Sequence, residues 1–147
     1  MNRRISALLI LLLHPGFSES QTTSDWLGVW RLDLARSEWK TGPSPYTRGT
    51  WKIERAGDAV RMIYDLVGTR GGVTHMEWTG QFDARDYPLQ GADAVVTYAY
   101  TRVDARTLDL LVKVDGNVTM RGRLTLSADG RSLTSETPAT RTLYVKR

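Results

Sequence analysis

His75 is where any acid–base chemistry in this chain would have to start. The 147 residues include two histidines and no cysteine. His14 falls in an apolar N-terminal stretch, which leaves His75 as the one imidazole of a folded domain. Without cysteine there are no disulfides, thiolate nucleophiles, zinc–thiolate sites or thioether lipid anchors. One imidazole cannot build a His-rich metal centre or a pair of acid and base histidines. In Val73-Thr-His-Met-Glu-Trp78, strand alternation puts Val73, His75 and Glu77 on one face and Met76 and Trp78 on the other. The bulky pair is predicted to face inward, so His75 and Glu77 are predicted on an outer wall, with no nucleophile in the arrangement a triad requires. Asp58, Asp83, Asp104, Asp115 and Asp129 stand in turn-forming contexts, where a carboxylate accepts local backbone hydrogen bonds. None of them falls in an EF-hand register. The expectation is no catalytic group, no metal, no cofactor and no enzymatic activity.

Aromatic residues carry the stronger signal. Tyr64 shares its strand phase with Met62 and Leu66, and Trp78, Tyr98, Tyr100 and Met120 fall in alternating segments with apolar partners. Trp51 and Tyr144 also lie in such segments. Inward-facing Tyr and Trp give a cavity apolar walls with a few polar tips, as small-molecule sites use. Met62, Tyr64, Trp78, Tyr98, Tyr100 and Met120 are therefore the candidate lining of a ligand site. The same residues could equally fill a core.

The segments that must position them read as strands. Past Gln21, apolar residues recur in alternation, and turn signals arrive at about 8–12 residue intervals, as in a sandwich or barrel. Trp26, Gly28, Trp30, Leu32 and Leu34 share one face of the first strand, and Thr41-Gly-Pro-Ser-Pro45 stops it. Ala56-Gly-Asp58, Asp115-Gly116 and Asp129-Gly130 are predicted hairpin turns. Pro88 argues against a central strand at its position. In Asn117–Ser127, Val118, Met120, Gly122, Leu124 and Leu126 are predicted inward. No useful stretch shows helical periodicity. The predicted fold is all-β, an up-and-down barrel of about 8–10 antiparallel strands, since closure removes exposed edges; an open β-sandwich is the alternative.

Residues 1–20 are predicted to be a signal peptide: Asn2-Arg-Arg4 is followed by an apolar run, Ile5–Leu13, then Pro15 and small residues before Gln21. A nine-residue run is short of the roughly 20 that span a bilayer, so no stable membrane anchor is expected. The predicted domain is 21–147, in a secreted or periplasmic protein. The formal charge of +4 is dispersed, with Arg31, Lys52, Arg55 and Arg61 interleaved with Asp33, Glu54, Asp58 and Asp65. No basic stripe is present, so a nucleic-acid partner is not expected.

Trp26-Leu-Gly28-Val-Trp30-Arg-Leu-Asp resembles the Gly-x-Trp strand that opens lipocalins and related calycin barrels. In that superfamily a basic residue from near the last strand packs across the Trp at the closed end. The resemblance implies a structural latch of Gly28, Trp30 and Arg141. Gly28–Ser37, Gly42-Pro-Ser-Pro45, Phe82–Gly91 and Ser127–Thr134 are similar to segments, in the same order, of small secreted bacterial lipocalin-like proteins of unassigned function. That resemblance implies fold and location. Fatty-acid-binding proteins carry Arg-x-Tyr in their last strand, whereas this chain has Arg141-Thr-Leu-Tyr144. The extra residue puts Arg and Tyr on opposite faces, so the carboxylate site of that family is not expected. The functional expectation is a barrel that binds a small hydrophobic or amphipathic ligand. The alternative is an envelope structural or interaction module with a filled barrel.

Overall fold

The structure, a computed structural model, describes residues 23–147; the predicted signal segment lies outside them. Ten strands follow one another: β1 Gly28–Trp39, β2 Tyr46–Ala56, β3 Ala59–Gly68, β4 Val73–Gly80, β5 Tyr87–Gln90, β6 Val96–Asp104, β7 Thr107–Val114, β8 Asn117–Leu126, β9 Ser132–Glu136 and β10 Thr140–Lys146. Each pairs antiparallel with its chain neighbour, and β1 pairs with both β2 and β10, closing the barrel. Closure excludes the open sandwich.

Alternation decides what lies inside. Trp30 and Leu32 on β1, Trp51 and Ile53 on β2, and Val60 and Met62 on β3 are buried. Leu108, Leu110 and Val112 on β7, with Leu124 and Leu126 on β8, continue the core around the barrel. Burying each such side chain stabilises the fold by about 1.5–3 kcal/mol before entropy is counted. Asp115 and Gly116 both take positive φ, 50° and 80°, the backbone a two-residue hairpin of matching twist requires.

Four local expectations are corrected. Trp26 precedes β1 and sits in a turn under the barrel, its Nε1 donating to the Ala105 carbonyl at 3.3 Å. Pro88 does lie within the wall, in β5. That strand pairs with β4 only at Leu89 and Gln90, so Pro88 stands beyond the end of that ladder and its missing N–H breaks nothing there. Asp129-Gly130 is part of a longer loop, in which the Asp129 carboxylate accepts from the Ser127 hydroxyl and the Arg131 N–H. Val118 faces out, 49% exposed, because a register shift at Val112/Lys113 reverses the phase of the start of β8.

The latch is also corrected. The cation over Trp30 is Lys146, whose Nζ lies 4.9 Å from the ring centroid and donates to the Asp25 carbonyl at 3.2 Å. Lys146 is the register partner of Trp30, whereas Arg141 pairs with Glu38 at the other end of β1. Arg141 shares the outward phase of Leu143 and Val145, and its Nε meets Glu136 at 3.1 Å. Gly28 keeps its expected role with the new partner. Its φ is +140°, and a Cβ there would come within 2.8 Å of Lys146 Cε. Trp30 Nε1 donates to the Trp26 carbonyl at 3.0 Å, so this end of the barrel is tied shut.

Candidate functional site

The inward face of the barrel is fully buried toward one end, its closed half, and partly solvated toward the other, its open half. At the closed end Trp26, Trp30, Ile53, Leu108, Leu124 and Leu133 are fully buried, and Phe82 stacks with Trp78 at 6.4 Å between ring centroids. Toward the other end, Tyr64, Met76, Val96, Tyr98, Met120 and Tyr144 have the same inward phase, yet each is only partly buried. Inward residues that keep contact with solvent define a mouth.

The six candidate lining residues divide between these halves. Met62, Trp78 and Tyr100 are floor, with exposures of 0%, 0% and 1%. Tyr64, Tyr98 and Met120 stand above them. A hydroxyl chain links floor and mouth: the Tyr64 and Tyr100 hydroxyls are 2.8 Å apart, and Tyr64 donates to Met62 Sδ at 3.4 Å. Trp78 Nε1 donates to the Tyr98 carbonyl at 3.1 Å. The Trp78 ring meets Tyr100 edge-on at 4.8 Å, and Tyr98 meets Tyr64 at 6.5 Å and Tyr100 at 6.2 Å. Five of the six therefore form one aromatic and thioether cluster. Met120 stands apart on β8, opposite Val112.

Three further residues complete the mouth. Trp51 lies against Tyr64, with centroids 4.8 Å apart, and meets Tyr144 edge-on at 5.5 Å. Its phase with Ile53 was readable in the sequence, whereas the inward phase of Tyr144 and Lys146 follows from the pairing of β10 with β1. Tyr46 was hidden in the Pro-rich connection, but it begins β2, opposite Gly68. Trp51 is 3% exposed, and its Nε1 has no hydrogen-bond partner among the described residues.

The electrostatics of the interior disfavour charge. Burial pushes the Tyr64, Tyr98 and Tyr100 phenols above their ordinary range, and pushes Tyr144 up to about 12. These groups are neutral hydroxyls at any physiological pH. The inward-phase cations all sit at the closed end, as register partners of buried residues: Arg55 opposite Val60, Arg102 opposite Leu108, Lys146 opposite Trp30. Arg102 lies 5.3 Å over the Phe82 ring and donates to Thr23.

His75 occupies the outer wall, as its phase predicts. Its Nδ1 lies 2.6 Å from Asp65 and its Nε2 3.0 Å from Glu77. Arg61 meets Glu77 at 2.7 Å and Glu54 at 3.3 Å, and Lys52 meets Glu54 at 2.7 Å. This is a charge ladder across β2, β3 and β4. The hydrogen bond to Asp65, then that to Glu77, raises the His75 pKa. A second outer feature is a seam. β9 pairs with β8 only over Arg123–Leu126, and the first half of β8 borders a concavity of about 470 Å³ lined by Val118, Met120, Pro138 and Ala139.

Comparison with known proteins bears on the fold. No protein-family model matches the chain, and no curated protein is similar to it. Among solved structures, the chain is similar to a mutant of the fluorescent protein UnaG, with a TM-score of 0.58 and 12% identity over 84% of this chain and 97% of that one. At that identity the likeness is one of fold alone. The chain is thus a closed, ten-stranded antiparallel barrel, and the likeness is to that architecture.

Proposed function

We propose that this protein holds a small hydrophobic or amphipathic molecule in the open half of its barrel, outside the cytoplasm, as a binding protein rather than an enzyme. One observation carries the reading: Tyr64, Met76, Tyr98, Met120 and Tyr144 face the interior yet remain partly solvated, while the same phase below them is fully buried. Apolar walls with sparse hydroxyls are what a small ligand needs for desolvation and orientation. Neutral phenols held far from ionisation suit contact with a ligand better than proton abstraction. The compartment rests on the N-terminal pattern of basic residues, apolar run and small residues. The UnaG likeness is compatible with this reading through fold only.

Trp51 makes the test direct, because its indole stands between two mouth tyrosines. Titration with a panel of hydrophobic and amphipathic compounds is expected to change tryptophan fluorescence saturably for at least one class. A flat response to every class overturns the reading. The packed closed half and the apolar seam beside Val118 and Pro138 would then favour the second reading, an envelope interaction module.

A further inference from the structure

We propose that the mouth selects an uncharged ligand carrying a hydrogen-bond acceptor, such as a carbonyl or ether, and discriminates against carboxylates. This rests on the binding reading above and names the ligand class of that same site.

Two observations converge on it. Trp51 Nε1 is a buried donor without an acceptor among the described residues. Leaving such a group unpaired is costly, and a bound acceptor would remove that cost. Beside it the Tyr64 hydroxyl already donates to Met62 Sδ and is bonded to Tyr100, so that neighbour's donor is engaged while the indole's is not. The second observation is the distribution of charge. Arg55, Arg102 and Lys146, the inward-phase cations, are at the closed end, and no charged residue is buried among the described residues. Arg141, on the same strand as Tyr144, faces outward and pairs with Glu136. A carboxylate held against Tyr64, Met76, Tyr98 and Tyr144 would shed water with no cation among those side chains, which is unfavourable. A carbonyl needs only the donor that is there. The raised phenol pKa values report the same aversion to negative charge.

A matched series isolates the headgroup: acetylnaphthalene, ethylnaphthalene and naphthoate share one aromatic body and differ in an acceptor, a hydrocarbon and an anion. Calorimetric titration of the protein near neutral pH is expected to give the ketone a Kd about tenfold below that of ethylnaphthalene, the equivalent of one net hydrogen bond. Naphthoate is expected to bind at least about tenfold more weakly than the ketone. Trp51→Phe is expected to abolish the ketone's advantage over ethylnaphthalene, read as the ratio of the two Kd values in the variant. Naphthoate binding as tightly as the ketone, or ketone and hydrocarbon binding equally to the unmodified protein, overturns the proposal and leaves the binding reading standing. Absence of binding by all three, together with a flat fluorescence panel, overturns both. The ligand comparison on the unmodified protein decides the matter even if Trp51→Phe fails to fold.

Discussion

At the scale of single residues, the polar groups of this barrel separate into those that carry charge on the outside and those kept neutral within. His75 shows the first kind. Both ring nitrogens face carboxylates, Asp65 and Glu77, so its protonated form is satisfied on both sides and its pKa is raised. The sign of the linkage follows. A folded-state pKa above the unfolded one means that folding takes up protons, so the stabilisation is fully present below the unfolded value, about 6.5, and fades as pH rises through the folded value. The pair is solvated and screened, so the effect is small and diminishes with salt. Urea unfolding from about pH 5 to pH 9, compared with His75→Gln, is expected to show the unmodified protein losing its advantage over the variant as pH rises. Parallel pH profiles would remove His75 from the account.

At the scale of elements, β10 shows what alternation reveals and what it conceals. That Arg141, Leu143 and Val145 share a face was legible, and so was the separation of Arg141 from Tyr144. Which face points inward was not, because Leu143 and Val145 are as apolar as Tyr144. The pairing with β1 settles it: Lys146 falls opposite Trp30, so Arg141 stands outside and distant. A similar ambiguity misplaced Val118, where a single bulge in β8 reversed a clean amphipathic pattern. The Asp115-Gly116 turn was legible because positive φ at both positions leaves few residue choices. The latch yields a paired prediction. Lys146→Met removes the cation from Trp30 and is expected to destabilise the fold by about 0.5–2 kcal/mol. Arg141→Met removes an exposed ion pair and is expected to change stability by less than about 1 kcal/mol. Denaturant midpoints at a common slope measure both; a larger loss from the Arg141 variant would reinstate it as the structural cation.

At the scale of the whole molecule, the barrel divides labour along its axis. The closed half holds most of the fully buried apolar volume, and the open half holds the aromatic and hydroxyl surface that stays in contact with solvent. Closure into one sheet was legible from short turns between amphipathic strands. The division was not, since inward phase is identical in both halves and only the three-dimensional plugging by Trp26, Phe82 and Lys146 shields one end from solvent. Stability and binding should therefore be separable by mutation. Leu133 is fully buried, and Leu133→Ala is expected to cost about 2–5 kcal/mol through lost contacts and a cavity. Met120 has the inward phase, borders the seam and is only partly buried, so Met120→Ala is expected to cost less than about 1.5 kcal/mol, since few of its contacts are closed to solvent. Its effect should appear instead in the affinity for whichever hydrophobic probe the fluorescence panel identifies, because it widens the wall that the probe would touch. Equal losses of stability from the two variants would mean that the mouth is packed as firmly as the floor, and the open half would then have no claim to be a binding site.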